Sequence, residues 1–268
     1  MARPHVGMRV ALALALAAFA TGEARAQALS LDEATSCLER NTPKKTLSFK
    51  ADFVKVDRLG GERKSRATVL GKQLADGLRR VVMRFDKPTD VRGTAMLMIE
   101  SKDGPSDFYV YSPDDRKVRR VAGRSNSGLF GTDFSYDDFE NWRSFQRTGK
   151  AERLRDGEVS GRAVYVVSSV PPGTAEAPAT YEKVITSVDR ETCVILQVES
   201  FEPGGRLRKV LRADPAHVQK IGTLYVAGAV ELEDVVDQTH TNVKLDEVKL
   251  DVDIPDGRFR PTDLSSGS

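Results

Sequence analysis

Few residues in this chain have the types and spacing that catalysis requires. Carboxylates occur in adjacent pairs such as Asp114-Asp115 and Asp137-Asp138. Adjacent residues of a strand point to opposite faces, so neither pair forms by spacing alone the dyad that general acid–base chemistry needs. A glycosidase would have to bring two carboxylates together from distant strands. The acidic residues therefore predict no reaction.

Histidine and cysteine are a poor supply of metal ligands. His217 and His240 lie far apart, as do Cys37 and Cys193. The sequence contains no His-Glu-x-x-His, Cys-x-x-Cys or EF-hand motif, no Gly-x-Ser-x-Gly elbow, and no Gly-x-Gly-x-x-Gly or phosphate loop. We expect a protein that is not an enzyme, with no metal, no cofactor and no catalytic residue.

The first 26 residues have the pattern of a cleaved secretory signal peptide. Arg3 and Arg9 precede the apolar run Val10–Ala20, and Ala24-Arg25-Ala26 supplies small residues at the cleavage positions. The apolar run is too short for a membrane helix; an uncleaved amphipathic helix is the alternative. We expect cleavage after Ala26 and a soluble periplasmic domain, residues 27–268.

The leader carries the excess positive charge. The chain has 41 Lys+Arg and 39 Asp+Glu, and the leader contains three arginines and one glutamate, so the mature net charge is zero. A nucleic-acid-binding protein is expected to show a strong basic excess. We therefore expect no nucleic-acid partner.

The two mature cysteines, Cys37 and Cys193, are a candidate disulfide. Such pairs are often bridged in an oxidising compartment. A bridge would join the N-terminal segment to a distant strand, and two separate buried thiols are the alternative.

The elements that must position any site are mostly strands. Leu29–Arg40 is predicted to be a short helix with Ser30 as its N-cap. Ten or more strands follow at spacings of roughly 8–12 residues, which is typical of a sandwich or barrel. Gly123–Asp133 is predicted to be a loop, Ser135–Asn141 one or two helical turns, and Pro255–Ser268 a polar tail. No linker divides the mature chain, so one domain is expected.

Aromatic residues are concentrated between Phe108 and Phe145, where nine of them lie, and the mature methionines lie just upstream. On a strand Met96 and Met98 share one face, while Leu97 and Ile99 share the other. A strand that is apolar on both faces is covered on both sides. Either the region is a dense core, or one face lines an apolar cavity suited to a flexible acyl ligand.

Beside that region lies a basic cluster. A solvated strand edge that blocks aggregation is one explanation, and a contact for anionic headgroups or a partner protein is the other. The cluster comprises Arg116, Lys117, Arg119, Arg120 and Arg124.

Four segments together resemble a known family. They are Arg84–Thr94 (RFDKPTDVRGT), Phe108–Val121, Phe130–Asp138 (FGTDFSYDD) and Ile254–Phe259. In this order and spacing they are similar to outer-membrane lipoprotein-sorting proteins of the large LolA-like branch, many of which are encoded beside RND-type lipid exporters. The resemblance covers essentially all of residues 27–268. Its third segment is the most specific, and contains the motif Gly131, Thr132, Asp133, Phe134, Ser135 and Tyr136.

The resemblance implies a mainly β fold, a single strongly curved antiparallel sheet like an incomplete barrel, with helices plugging its concave side. It also implies a periplasmic carrier that binds lipid or lipoprotein acyl chains, with transient membrane contact and an RND-type transporter as a possible partner. The expected lining or plug residues are Met83, Phe85, Met96, Met98, Phe108 and Phe134. A non-enzymatic envelope module that binds a protein and no lipid is the alternative. The motif itself is as consistent with a structural contact as with ligand binding.

Overall fold

The computed structural model describes residues 1, 30–102, 104–121, 128–141, 144–146, 150–174 and 178–266. The predicted signal peptide and its cleavage position lie outside this part, apart from Met1, as do Trp142 and Arg124. Within the described ranges, no helix has the length and apolarity that crossing a membrane requires.

Strands dominate the described chain, with two α-helices and four short 3-10 helices. The helices are α1 (Asp32–Arg40) and α2 (Tyr136–Asn141), and the 3-10 helices are Ser144–Gln146, Pro215–His217, Asp256–Phe259 and Pro261–Ser265. The first eight strands are β1 (Thr46–Val56), β2 (Glu62–Gln73), β3 (Arg79–Lys87), β4 (Ala95–Ile99), β5 (Asp107–Ser112), β6 (Lys117–Arg120), β7 (Ala151–Arg153) and β8 (Gly157–Val159). The remaining strands are β9 (Arg162–Ser169), β10 (Lys183–Asp189), β11 (Ile195–Glu202), β12 (Arg206–Ala213), β13 (Val218–Ile221), β14 (Leu224–Ala227), β15 (Ala229–Asp234) and β16 (Thr239–Leu250).

Fourteen strands form one antiparallel sheet in the order β6-β5-β4-β3-β2-β1-β16-β15-β12-β11-β10-β9-β7, with β8 also paired to β9. Among the described residues no pairing joins β6 to β7, so the sheet is not closed into a barrel. Phe108 of β5 and Val184 of β10 nevertheless belong to one core cluster. The sheet must therefore curve until its two halves face each other across that core. The expected mainly β, open-sheet architecture is confirmed.

Both helices lie on the concave side. Ala34, Cys37 and Leu38 of α1 pack on Val167 and Val188 of β9 and β10. The helix begins at Asp32, with Leu31 in the N-cap position, and the predicted start at Leu29 lies outside the described residues. The hydroxyl of Ser30 still accepts a hydrogen bond from the Asp32 amide at 3.1 Å.

A disulfide holds α1 in place. The structure joins Cys37 of α1 to Cys193 in the turn between β10 and β11, with 5.2 Å between their Cα atoms. The bridge connects residues 156 positions apart in the sequence. It therefore fixes the N-terminal helix against the second half of the sheet.

The C-terminal segment is not the polar tail that its composition predicts. Ile254, and Phe259 and Leu264 of the two 3-10 helices that follow it, pack with Val82 and Leu97 on the outer face of β3 and β4. Arg84 adds hydrogen bonds to this cover, with its Nη2 donating to the carbonyl of Leu264 at 2.7 Å. The prediction that β4 is covered on both faces is met by this segment outside and the main core inside.

Candidate functional site

The concave face contains a cavity of about 480 Å³. Strand alternation supplies its main wall, because every second side chain of β1 to β4 points inward. The inter-strand register aligns these side chains in rows across the four strands, and two successive apolar rows are Leu47-Gly71-Val81-Met98 and Phe49-Val69-Met83-Met96. A cavity of this size lies within the range of about 300–1,000 Å³ that is usual for ligand sites.

The opposite wall comes from outside the β1–β4 region. Leu224, Tyr225 and Val226 of the β13–β14 hairpin line the cavity, together with Leu38 at the end of α1. Asn41, which follows α1, holds this hairpin: its Oδ1 accepts from the Tyr225 amide at 2.7 Å and its Nδ2 donates to the Tyr225 carbonyl at 2.9 Å. The sequence identified Asn41 only as a helix stop, since nothing local predicts a partner 184 residues away.

Four of the six predicted lining or plug residues line the cavity: Met83, Met96, Met98 and Phe134. Phe85 and Phe108 are buried beside it and do not line it. Each packs instead on an aromatic ring of the segment 128–141, which we call the plug. Phe85 lies 5.0 Å from Phe130 and Phe108 lies 4.9 Å from Tyr136, measured between ring centroids.

The plug is fixed to the sheet at Asp133. This carboxylate is 4% exposed. Its oxygens accept hydrogen bonds from the hydroxyls of Thr239 at 2.5 Å and Thr241 at 2.6 Å, both on β16, and pair with Lys55 of β1 at 2.8 Å. Its amide donates to the Thr241 hydroxyl at 2.9 Å. One residue thus connects the plug to two neighbouring strands.

A second buried group fixes the plug at Asp138. Lys209 of β12 donates to Asp138 Oδ2 at 2.7 Å and to the Asp133 carbonyl at 2.6 Å. Ser135 donates to the same carboxylate from its amide and hydroxyl, and Tyr181 donates to the other oxygen at 2.8 Å. Burial, followed by the nearby Asp138 charge, raises the pKa of Tyr181 well above its usual range. We call Lys55, Asp133, Asp138, Tyr181, Lys209, Thr239 and Thr241 the plug network.

The backbone of the motif explains its glycine and threonine. Gly131 has φ +75°, in the left-handed region, and a Cβ there would lie 2.7 Å from Nε of Arg63. Thr132 closes the turn, donating to the Leu129 carbonyl at 2.8 Å and accepting from the Phe134 amide at 3.2 Å. Tyr136 is half-buried against Phe108, and burial raises its pKa. The motif as a whole shapes and anchors the plug.

Neither His217 nor His240 is among the residues that line the cavity. Within the described ranges no group of three or more His, Cys, Asp or Glu is placed to hold a metal ion. His217 is exposed and pairs with Asp214 at 2.6 Å. The Ala216 amide and then His217 hold the pKa of Asp214 below its usual value.

The basic cluster lies at a sheet edge, on and beside β6. Arg119 pairs with Asp115 and Arg120 pairs with Asp107. These exposed, locally neutralised charges fit a strand edge in water.

Comparison with known proteins extends this description. A family model described as "Uncharacterized protein"-like matches residues 77–266. Among curated proteins none matches. Solved structures do: a putative outer membrane lipoprotein-sorting protein domain from Vibrio parahaemolyticus is 20% identical with a TM-score of 0.75, and covers 87% of this chain and 97% of its own.

Two further solved structures share the fold. A DUF1329 family protein from Desulfovibrio piger is 22% identical with a TM-score of 0.77, covering 87% of this chain and 96% of its own. A LolA superfamily protein from Nitrosomonas europaea is 21% identical with a TM-score of 0.64, covering 85% of this chain and 97% of its own.

Proposed function

We propose that this protein is a non-enzymatic periplasmic carrier of acyl chains. The premise is that the chain belongs to the family whose model matches residues 77–266 and has the fold of LolA-like lipoprotein-sorting proteins. The carried group is a lipid or the acyl chains of a lipoprotein, held in the cavity. The observation that carries this proposal is the apolar cavity itself, because a module that only binds a protein has no need of an internal space of about 480 Å³.

The cavity wall suits an acyl chain. Met83, Met96 and Met98 are unbranched and polarizable, so they adapt to a flexible ligand. Each buried methylene is worth about 0.8 kcal/mol, so a chain of roughly 16 carbons gains on the order of ten kcal/mol from leaving water. Release then needs an acceptor of similar apolarity. In this proposal the protein receives its cargo at the inner membrane, with an RND-type transporter as donor, and delivers it toward the outer membrane by transient membrane contact.

Two neighbouring residues of β4 provide the test. Met98 lines the cavity, whereas Ile99 packs on the outer face beside the C-terminal segment. Met98→Trp puts an indole into the cavity, and displacing two methylenes of a bound chain costs about 1.6 kcal/mol, which is roughly a tenfold loss of affinity. Ile99→Trp adds the same group outside the cavity.

The measurement is titration of delipidated protein with a fluorescent fatty-acyl probe, with thermal unfolding of both variants as the check on folding. We expect Met98→Trp to lose affinity about tenfold and Ile99→Trp to stay within about twofold of wild type. A wild-type protein that takes up no probe contradicts the carrier proposal, and equal losses in both variants contradict the assignment of the cavity as its site.

A further inference from the structure

The mouth of the cavity differs in chemistry from its interior. One row outward from Leu47-Gly71-Val81-Met98, Lys45, Gln73, Arg79 and Glu100 lie side by side at the ends of the same four strands. The Gln73 amide donates to the Lys45 carbonyl at 3.2 Å, Gln73 is in register with Arg79, and the Glu100 amide donates to the Arg79 carbonyl at 2.9 Å. All four residues line the cavity. We call them the rim row.

The rim row carries a net positive charge. Glu100 is its single carboxylate, and Arg79 already binds both of its oxygens, one through the backbone amide at 3.0 Å and one through Nη2 at 3.4 Å. Lys45 is exposed, and no carboxylate of the described residues pairs with its ammonium group. The Lys45 ammonium and the remaining donors of the Arg79 guanidinium therefore face a ligand group at the mouth of the cavity.

The other charged residues among those that line the cavity already have partners. Lys72 pairs with Asp256 at 2.8 Å and donates to the Ile254 carbonyl, so its charge lies with the C-terminal segment on the outer face. Arg80 pairs with Asp76 at 2.8 Å. Glu140 lines the cavity but is 5% exposed, and its Oε1 accepts from the Ser106 amide at 2.6 Å.

This layout matches an amphiphile. Ala51 also lines the cavity and lies six positions along the chain from Lys45, a distance of about 20 Å at 3.3–3.4 Å per residue. An extended acyl chain fits along that direction while its head stays at the rim row. A phosphate or carboxylate head is the complement of an ammonium and a guanidinium, which bind such groups through charge-assisted hydrogen bonds.

We propose that the cargo is an anionic amphiphile, whose phosphate or carboxylate head is bound at the rim row by Lys45 and Arg79. This inference rests on the proposed carrier function and names its class of substrate. It requires that amphiphiles with the same acyl or alkyl chain bind with different affinities according to their head group.

The test is calorimetric titration of delipidated protein with four dodecyl amphiphiles below their micelle concentrations. Dodecyl phosphate and dodecanoate carry anionic heads, dodecyl maltoside a neutral head, and dodecyltrimethylammonium a cationic one. We expect at least one anion to bind about tenfold more tightly than the maltoside, and the cation to bind most weakly. Whichever anion binds better distinguishes a phospholipid source from a free fatty acid.

The matched variants are Lys45→Gln and Lys44→Gln. Lys44 is the exposed neighbour that does not line the cavity. We expect Lys45→Gln to remove most of the preference for the anion and to leave maltoside affinity unchanged, and Lys44→Gln to change neither. Added salt should reduce the same preference.

Two outcomes overturn the inference in different ways. Equal affinity for anionic and neutral heads, or a preference that Lys45→Gln leaves intact, removes the head-group proposal and leaves the carrier proposal standing. Binding of none of the four amphiphiles contradicts the carrier proposal itself.

Discussion

Lys209→Met should destabilise the protein far more than an ordinary lysine substitution. The ammonium of Lys209 is bound by Asp138 Oδ2 at 2.7 Å and the Asp133 carbonyl at 2.6 Å, and the side chains of Lys209 and Asp138 are 1% and 3% exposed. Removing the ammonium leaves the Asp138 charge buried with only neutral donors. Breaking a buried pair in this way costs about 3–5 kcal/mol in the free energy of unfolding.

The control is Lys50→Met, which makes the same chemical change on the sheet exterior. Lys50 pairs with Glu247 at 2.6 Å, but the two side chains are 37% and 45% exposed. Exposed pairs contribute about 0–1 kcal/mol because water and salt screen them. Urea unfolding with the disulfide intact should therefore separate the two variants by roughly 3 kcal/mol.

A double variant identifies the pair as the cause. Asp138→Asn removes the charge and keeps the shape, so Lys209→Met/Asp138→Asn leaves no buried unpaired charge. Its loss of stability should be smaller than the sum of the two single losses by about 2 kcal/mol. Hydrogen exchange at the Asp133 amide, which donates to the Thr241 hydroxyl, reports whether the plug itself has loosened. A loss below about 1 kcal/mol for Lys209→Met, or additive effects in the double variant, refutes the reasoning.

Three further predictions concern the plug and the bridge. Gly131→Ala should lower the free energy of unfolding by about 1–2 kcal/mol, because φ is +75° there; no change in urea unfolding contradicts this. Replacing Cys37 and Cys193 by alanine should cost about 5 kcal/mol, since the bridge closes a loop of more than 150 residues; a thermal midpoint equal to wild type contradicts it. The pKa of Tyr181 is raised by burial and then by Asp138, so its protonated hydroxyl contributes fully to the free energy of unfolding below about pH 10. Above that pH the free energy of unfolding falls by up to about 1.4 kcal/mol per pH unit, because tyrosine ionises in the unfolded chain first. Tyr181→Phe should flatten this decline between pH 9 and 11, and an unchanged slope contradicts the assignment.

Local sequence patterns predicted the parts of the fold that local physics determines. Alternation in β4 placed Met96 and Met98 on one face and Leu97 on the other, and the structure puts them in the inner and outer clusters respectively. The helix before β1 was predicted from its apolar spacing, and in the described residues it runs from Asp32 to Arg40.

Features that depend on contacts between residues far apart in the sequence could not be predicted from local patterns. Pro255–Ser268 has a polar composition, and only the apolar outer face of β3 and β4 makes Phe259 a buried residue. Phe85 and Phe108 point inward like the methionines, but the plug covers them. The alternation of side chains along a strand predicts which face a residue is on, and does not predict what covers that face.

The plug network shows the same limit for polar residues. Lys209 sits in a strand whose neighbours include three arginines, so its sequence context is that of a solvated strand. Its burial follows from the approach of the plug, 71 residues away in the sequence. The motif around Asp133 was recognisable only through family resemblance, and nothing in the local sequence marks Thr239 and Thr241 as its partners.

Native mass spectrometry of the protein purified without delipidation, followed by lipid extraction, tests the central claim most directly. The account predicts a co-purified lipid or acylated peptide in near-stoichiometric amount in the wild type and in Ile99→Trp, and a lower occupancy in Met98→Trp. Protein that is free of lipid, and that also fails to take up a fluorescent fatty-acyl probe, would contradict the carrier account and favour an envelope module that binds a protein partner.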